Sequence, residues 1–182
     1  MTTSDWASDV LHFWFDEIGP TGWFERADAT DDAITKRFRA LWSDLRAKVP
    51  AEALLRPDAA LAAIITLDQF PRNMFRGTAE AFATDPLALA IARNALANGF
   101  DTAVPKERRT FFYMPFMHSE ALDDQERCIE LFSDYEEQMP YAIEHRDIIA
   151  RYGRFPHRNR ALGRQSSEEE LAFLSNHAGF GQ

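Results

Sequence analysis

Cysteine is almost absent. The 182-residue chain carries only Cys128, which excludes an internal disulfide framework and a cysteine-built zinc cage of the usual spacing, and which suits a reducing compartment. Lysine is nearly as scarce: Lys36, Lys48 and Lys106 are the only lysines among 20 basic residues, so the positive charge is almost entirely arginine. Positive charge is itself in the minority against 29 acidic residues, and a net charge of -9 is the wrong sign for a protein that grips a phosphate backbone. Nucleic acid is therefore not an expected partner. No run approaches the roughly 20 apolar residues of a membrane helix, and Met1 to Asp9 is polar and acidic where a secretory leader would be basic and then apolar. A cytoplasmic protein without a membrane partner is expected.

What is abundant is apolar surface, 46% hydrophobic residues and 13% aromatic ones, enough for one globular domain over residues 1–182. Its spacing is helical almost throughout. The pattern predicts about eight helices: from a Ser4 cap to about Asp16; Asp31 to Lys48; Pro57 to a stop at Pro71; Asp85, acting as a cap, to Asn98-Gly99; Pro105 to Met114; a Ser119 cap to Tyr135; Pro140 to Tyr152; and a last one behind Ser166-Ser167 with a capping box and Glu168, Glu169 and Glu170 in its first turn. Residues beyond His177 are expected to fray. Short links favour antiparallel neighbours, so the fold class is all-α, either stacked helical hairpins of the tetratricopeptide-like α/α kind or an up-down bundle.

If direction alternates, the C-terminal ends of the first, third, fifth and seventh helices share one pole. Three unusual turns follow the last three of these: Phe70-Pro71-Arg72-Asn73, then Pro115 to Glu120, then Gly153 to Asn159. Six arginines, Arg146, Arg151, Arg154, Arg158, Arg160 and Arg164, lie between His145 and Arg164, with Asp147 the only acid among them. A guanidinium binds carboxylate or phosphate through a rigid fork, so this pole is a candidate receptor for a small anionic ligand or an acidic peptide end. The ligand-binding candidates are Asp68, Arg72, Asn73, His118, Glu120, Arg154, His157, Arg158 and Asn159. The competing reading is an internal Arg–Glu network, with prolines and arginines merely ending helices.

His118, Glu120, Asp123 and Asp124 are the best metal candidates, the three acids falling on one helical face, but acids in a first turn serve the helix dipole and no His-Glu-x-x-His or EF-hand pattern is present. No metal and no cofactor is expected. His145-Arg146-Asp147 spells the start of a kinase catalytic loop inside a helical segment that lacks the other kinase signatures. Trp14-Phe15 and Trp23-Phe24 read as core, and Cys128 as packed and inert.

The segments Leu67 to Asn73, Phe111 to Glu120, His145 to Asn159 and the opening Val10 to Phe15 resemble a bacterial family of uncharacterised all-helical proteins, a domain of unknown function with a tetratricopeptide-like helical fold; Tyr152 departs from the phenylalanine that the pattern favours. The resemblance implies a stacked-hairpin fold and brings no substrate, cofactor or catalytic residue. Three functions stay open: a helical binding module for a small anion or acidic peptide end, a hydrolase or transferase using His118, Glu120 or His157 as acid-base or metal-ligand groups, and a helical scaffold without a ligand.

Overall fold

The apolar stripes become helix faces. The structure, a computed structural model, describes residues 5–177 and 179–181, so the expected Ser4 cap lies outside the described residues. The main helices are Trp6–Leu11 (α1), Asp28–Ala47 (α2), Pro57–Ile64 (α3), Asp85–Ala97 (α4), Lys106–Met117 (α5), Leu122–Leu131 (α6), Met139–Tyr152 (α7) and Glu168–Leu174 (α8), joined by short helical turns; no strand occurs among the described residues. In α2 the buried side chains are Ile34, Phe38, Trp42 and Leu45, the three-to-four spacing of a single face. From α3 to α7 each helix packs on its successor; α3 also packs on α1 and α5, and α2 lies across residues 65–74. This is an all-helical stack of hairpins.

Several ends form as their chemistry dictates. Gly153 closes α7 in the left-handed conformation at φ 67°, which costs glycine nothing, and Ser167 with Glu170 makes a reciprocal capping box at the start of α8. Other ends differ from expectation. Pro71 does not stop the third helix. Its missing N–H and its ring disturb the carbonyl four residues back, Leu67; the chain widens into a π-helical stretch, Ile65–Gln69, and resumes as Phe70–Met74. The Leu67 carbonyl instead accepts from Thr84 Oγ1 at 2.6 Å. The first helix likewise passes into a π-helical stretch, His12–Ile18, and α5 runs through Pro115 to Met117. Asp85 is the first residue of α4 rather than its cap, and α6 starts at Leu122, where Ser119 turns its hydroxyl to Asp124 instead of capping.

One large core joins α1 to α6 and Ala142 of α7; Phe13, Trp14, Phe70 and Phe111 are fully enclosed in it. Cys128 is enclosed too, and burial pushes its thiol up to about 12, so it is unreactive as expected. A second, smaller cluster gathers Ile148, Ile149 and Phe155 with Tyr152, Phe173 and Phe180. Of the tail beyond His177, expected to fray, Ala178 and Gln182 lie outside the described residues, and Gly179–Gly181 form a turn that packs Phe180 onto this cluster. The polar pole joins the two cores.

Candidate functional site

The three turns do meet. Asp68, on the π-helical stretch and wholly removed from solvent, accepts from His118 Nδ1 at 2.8 and 2.9 Å and from Gln69 Nε2 at 2.5 Å, with Arg72 at 4.0 Å. Burial works against the Asp68 carboxylate, but His118, then Arg72 and Gln69, outweigh it and hold the carboxyl below its ordinary value. Because an ionised carboxylate only accepts, Nδ1 carries the proton, and Nε2 lies on the far edge of a ring that keeps 14% of its surface. An imidazole fixed in this way can take or give a proton at Nε2.

Arg72 extends the network. Its fork grips Asp85 at the head of α4 at 2.8 and 2.9 Å and also reaches the Ala81 carbonyl. Burial lowers the Arg72 guanidinium, but Asp85 and Asp68 more than restore it. Asp85 also holds Arg158, at 3.4 Å, whose guanidinium lies over the rings of Phe82 and Phe155 at 4.7 and 4.5 Å. Burial and then the neighbouring Arg72 push Arg158 down to about 10, and its Nε is buried without a hydrogen-bond partner among the described residues.

A second network sits beside the first. Glu120 accepts the Arg164 fork at 2.7 and 2.9 Å and the Phe155 N–H at 2.8 Å; it precedes α6, so it does not share a helical face with Asp123 and Asp124. Asp124 is taken by Ser119 and Arg93. Arg154 donates to Glu170 at 2.6 and 2.8 Å and holds that carboxyl down at about 2, while Asn159 bridges Ser166, Glu170 and Arg164. Asn73 leaves the group and donates to Asp31 at 2.7 Å. Among the described residues no three His, Cys, Asp or Glu side chains gather as metal ligands would.

Of the nine sequence candidates, the networks therefore bring together Asp68, Arg72, His118 and Arg158 on one side, and Glu120, Arg154 and Asn159 on the other. His157 stands apart in a cleft of about 360 Å³ lined by Pro156, His157, Arg160, Ser166, Leu171, Leu174, His177 and Gly179. Burial, then Arg158, pushes the His157 imidazole down to about 3, so it is neutral, and its buried Nδ1 has no partner among the described residues. Among the described residues Arg160 is the single arginine of the segment 146–164 without a carboxylate, since Asp147, Glu169, Glu170, Asp85 and Glu120 take the other five. The candidate list left out Gln69, Asp85, Arg160, Arg164 and Glu170. Arg160 and Arg164 were visible as members of the run and Glu170 as part of the acidic run open to an Arg–Glu network, while Asp85 was marked only as a helix cap and Gln69 only as a member of its segment.

The model of a family of bacterial proteins of unknown function, DUF924, matches residues 10–178. The chain belongs to this family. A solved structure of another protein of unknown function, from Agrobacterium tumefaciens, is similar at 41% identity with a TM-score of 0.90, over 94% of this chain and 97% of that one. No curated protein matches. Asp68, Arg72, His118, Glu120, Arg154, Arg158 and Asn159 of the two networks all lie within the matched span, as do their partners Asp85, Arg164 and Glu170, and among the described residues no helix is long and apolar enough to cross a membrane.

Proposed function

We propose that the protein is a helical binding module for a small anionic ligand, a carboxylate or phosphate group, received in the cleft of Arg160 and His157. The observation that carries this reading is the fate of the six arginines. Five are neutralised by carboxylates of the chain itself, while Arg160 is exposed, free of such a partner among the described residues, and lines a cleft of the size small ligands use. The His157 ring and Ser166, whose hydroxyl accepts from Asn159 Nδ2 at 3.1 Å, also line that cleft. Calorimetric titration with inorganic phosphate and acetate tests it: Arg160→Ala weakens binding at least about tenfold, the scale of one charged hydrogen bond, without unfolding an exposed site. Unchanged affinity in the folded variant overturns the reading.

The buried Asp68–His118 pair favours a second reading, acid-base chemistry on an anionic substrate. Turnover in a phosphoester and carboxylester screen, lost in His118→Gln, would support it. The internal pairing of Arg154 and Arg164 favours a scaffolding role for those two residues, whichever reading holds for the cleft.

A further inference from the structure

The cleft has an occupant next door. Phe180 stacks on His145, ring centroids 4.0 Å apart and planes 22° from parallel, and meets His157 edge-on at 5.4 Å and His177 at 4.7 Å. Its backbone stands in the left-handed region, φ 54° and ψ 30°, where it is the one non-glycine residue with positive φ among the described residues. That conformation is strained for a side chain with a Cβ, so the ring contacts hold the residue there against local strain. The turn is latched at one point: the Gly179 N–H donates to His177 Nδ1 at 3.0 Å, and His177 Nε2 donates to Glu144 at 3.2 Å.

His157, which this turn touches, has a buried Nδ1 without a partner among the described residues, and Arg158 Nε and Tyr152 Oη in the same segment, 152–158, are likewise buried without one. Gly179 covers His157 so closely that a Cβ on it would stand 3.3 Å from the His157 Cβ. A buried polar atom without a partner is destabilising, and a ligand that pairs it removes that penalty. His157 belongs both to the Phe180 slot and to the Arg160 cleft, so removing the ring would join a flat, imidazole-walled slot to an anion-binding end.

We infer that Phe180 is an internal plug, and that the ligand it yields to is an aromatic carboxylate: a planar ring in the Phe180 slot on His145, and a carboxylate accepting from Arg160 and from His157 Nδ1. This rests on the anion-binding reading above and narrows its ligand class. The slot already takes a phenyl ring, the His145 face offers stacking, and both His145 and His157 are neutral, held at about 3 by burial, so the ring meets no charge there.

Calorimetry with phenylacetate, acetate and inorganic phosphate, on the wild type, Arg160→Ala, Phe180→Ala and Phe180→Gly, tests the inference. Phe180→Gly also relieves the strained φ, so one of the two plug variants folds even if the other does not, as circular dichroism melts would report. Expected are tighter binding of phenylacetate than of acetate, a gain of about tenfold or more for phenylacetate on losing the Phe180 ring because the closed state no longer competes, and little change for acetate or phosphate. If phenylacetate binds no better than acetate, or its affinity is unchanged or falls in the plug variants, the plug and the ligand class are overturned while Arg160-dependent anion binding stands. Absence of any anion binding in all four proteins overturns both.

Discussion

Asp68 concentrates the chemistry of the pole in one side chain. It is fully buried, and His118, Gln69 and Arg72 stand between it and an unpaired charge in the core. Removing one member of such a group leaves the others uncompensated: Asp68→Ala is expected to lower stability by about 3 to 5 kcal/mol in urea unfolding, whereas Asp68→Asn, which keeps a hydrogen-bond acceptor, costs less. Equal and small effects of both would show that the pair is not structurally important. His145 and His157 give a second prediction. Both are held neutral at about 3 in the folded chain, burial being the main cause, while the unfolded chain takes up their protons below about 6.5. The unfolded state then binds more protons, so stability is full above about pH 6.5 and falls as pH drops from there toward 3, by up to about 1.4 kcal/mol per pH unit for each histidine. Asp68 and Glu170, whose carboxyls are lowered, add losses only below the ordinary carboxylate range. Urea unfolding between pH 7 and 5 reads this histidine contribution, and His157→Gln should remove about half of the slope, leaving that of His145; a flat wild-type profile over that range contradicts it.

At the level of elements, the sequence made most helices legible because their ends have local causes. Gly153, the Ser167–Glu170 box and the Pro57 start act within one turn of themselves. Pro71 was misleading because its consequence is settled at a distance: the helix survives it only where the widened turn and the Thr84 hydroxyl, 17 positions along the chain, take over the Leu67 carbonyl. The same hydroxyl accepts from Trp42 Nε1 at 3.2 Å, so it ties α2, the π-helical stretch and the approach to α4. Thr84→Val removes it at nearly constant volume and strands two buried polar groups, for an expected loss of about 2 to 4 kcal/mol in chemical denaturation. A loss under about 0.5 kcal/mol would mean that the helix passes Pro71 without this support.

Over the whole molecule, most of the arginines form internal ion pairs; among the described residues Arg26, Arg39, Arg108, Arg109 and Arg160 stand outside them. Alternating helix direction was enough to predict that the three odd turns meet, since that follows from short connections and helical period alone. It could not tell which arginine would face which carboxylate: an Arg–Glu network with the Glu168–Glu170 run was one open reading, but Asp85 and Glu170 lie 13 and 16 positions from their partners Arg72 and Arg154, beyond any one helical turn that would fix the pairing. For the same reason the sequence could not single out Arg160. The most direct test of this account is a ¹H–¹⁵N spectrum of the arginine Nε–H groups, assigned by single substitutions and titrated with acetate. The account predicts that the Arg160 signal moves in a saturable way while those of Arg72, Arg154 and Arg164, held by their carboxylates, stay in place. A still Arg160, or movement confined to the paired arginines, would contradict it.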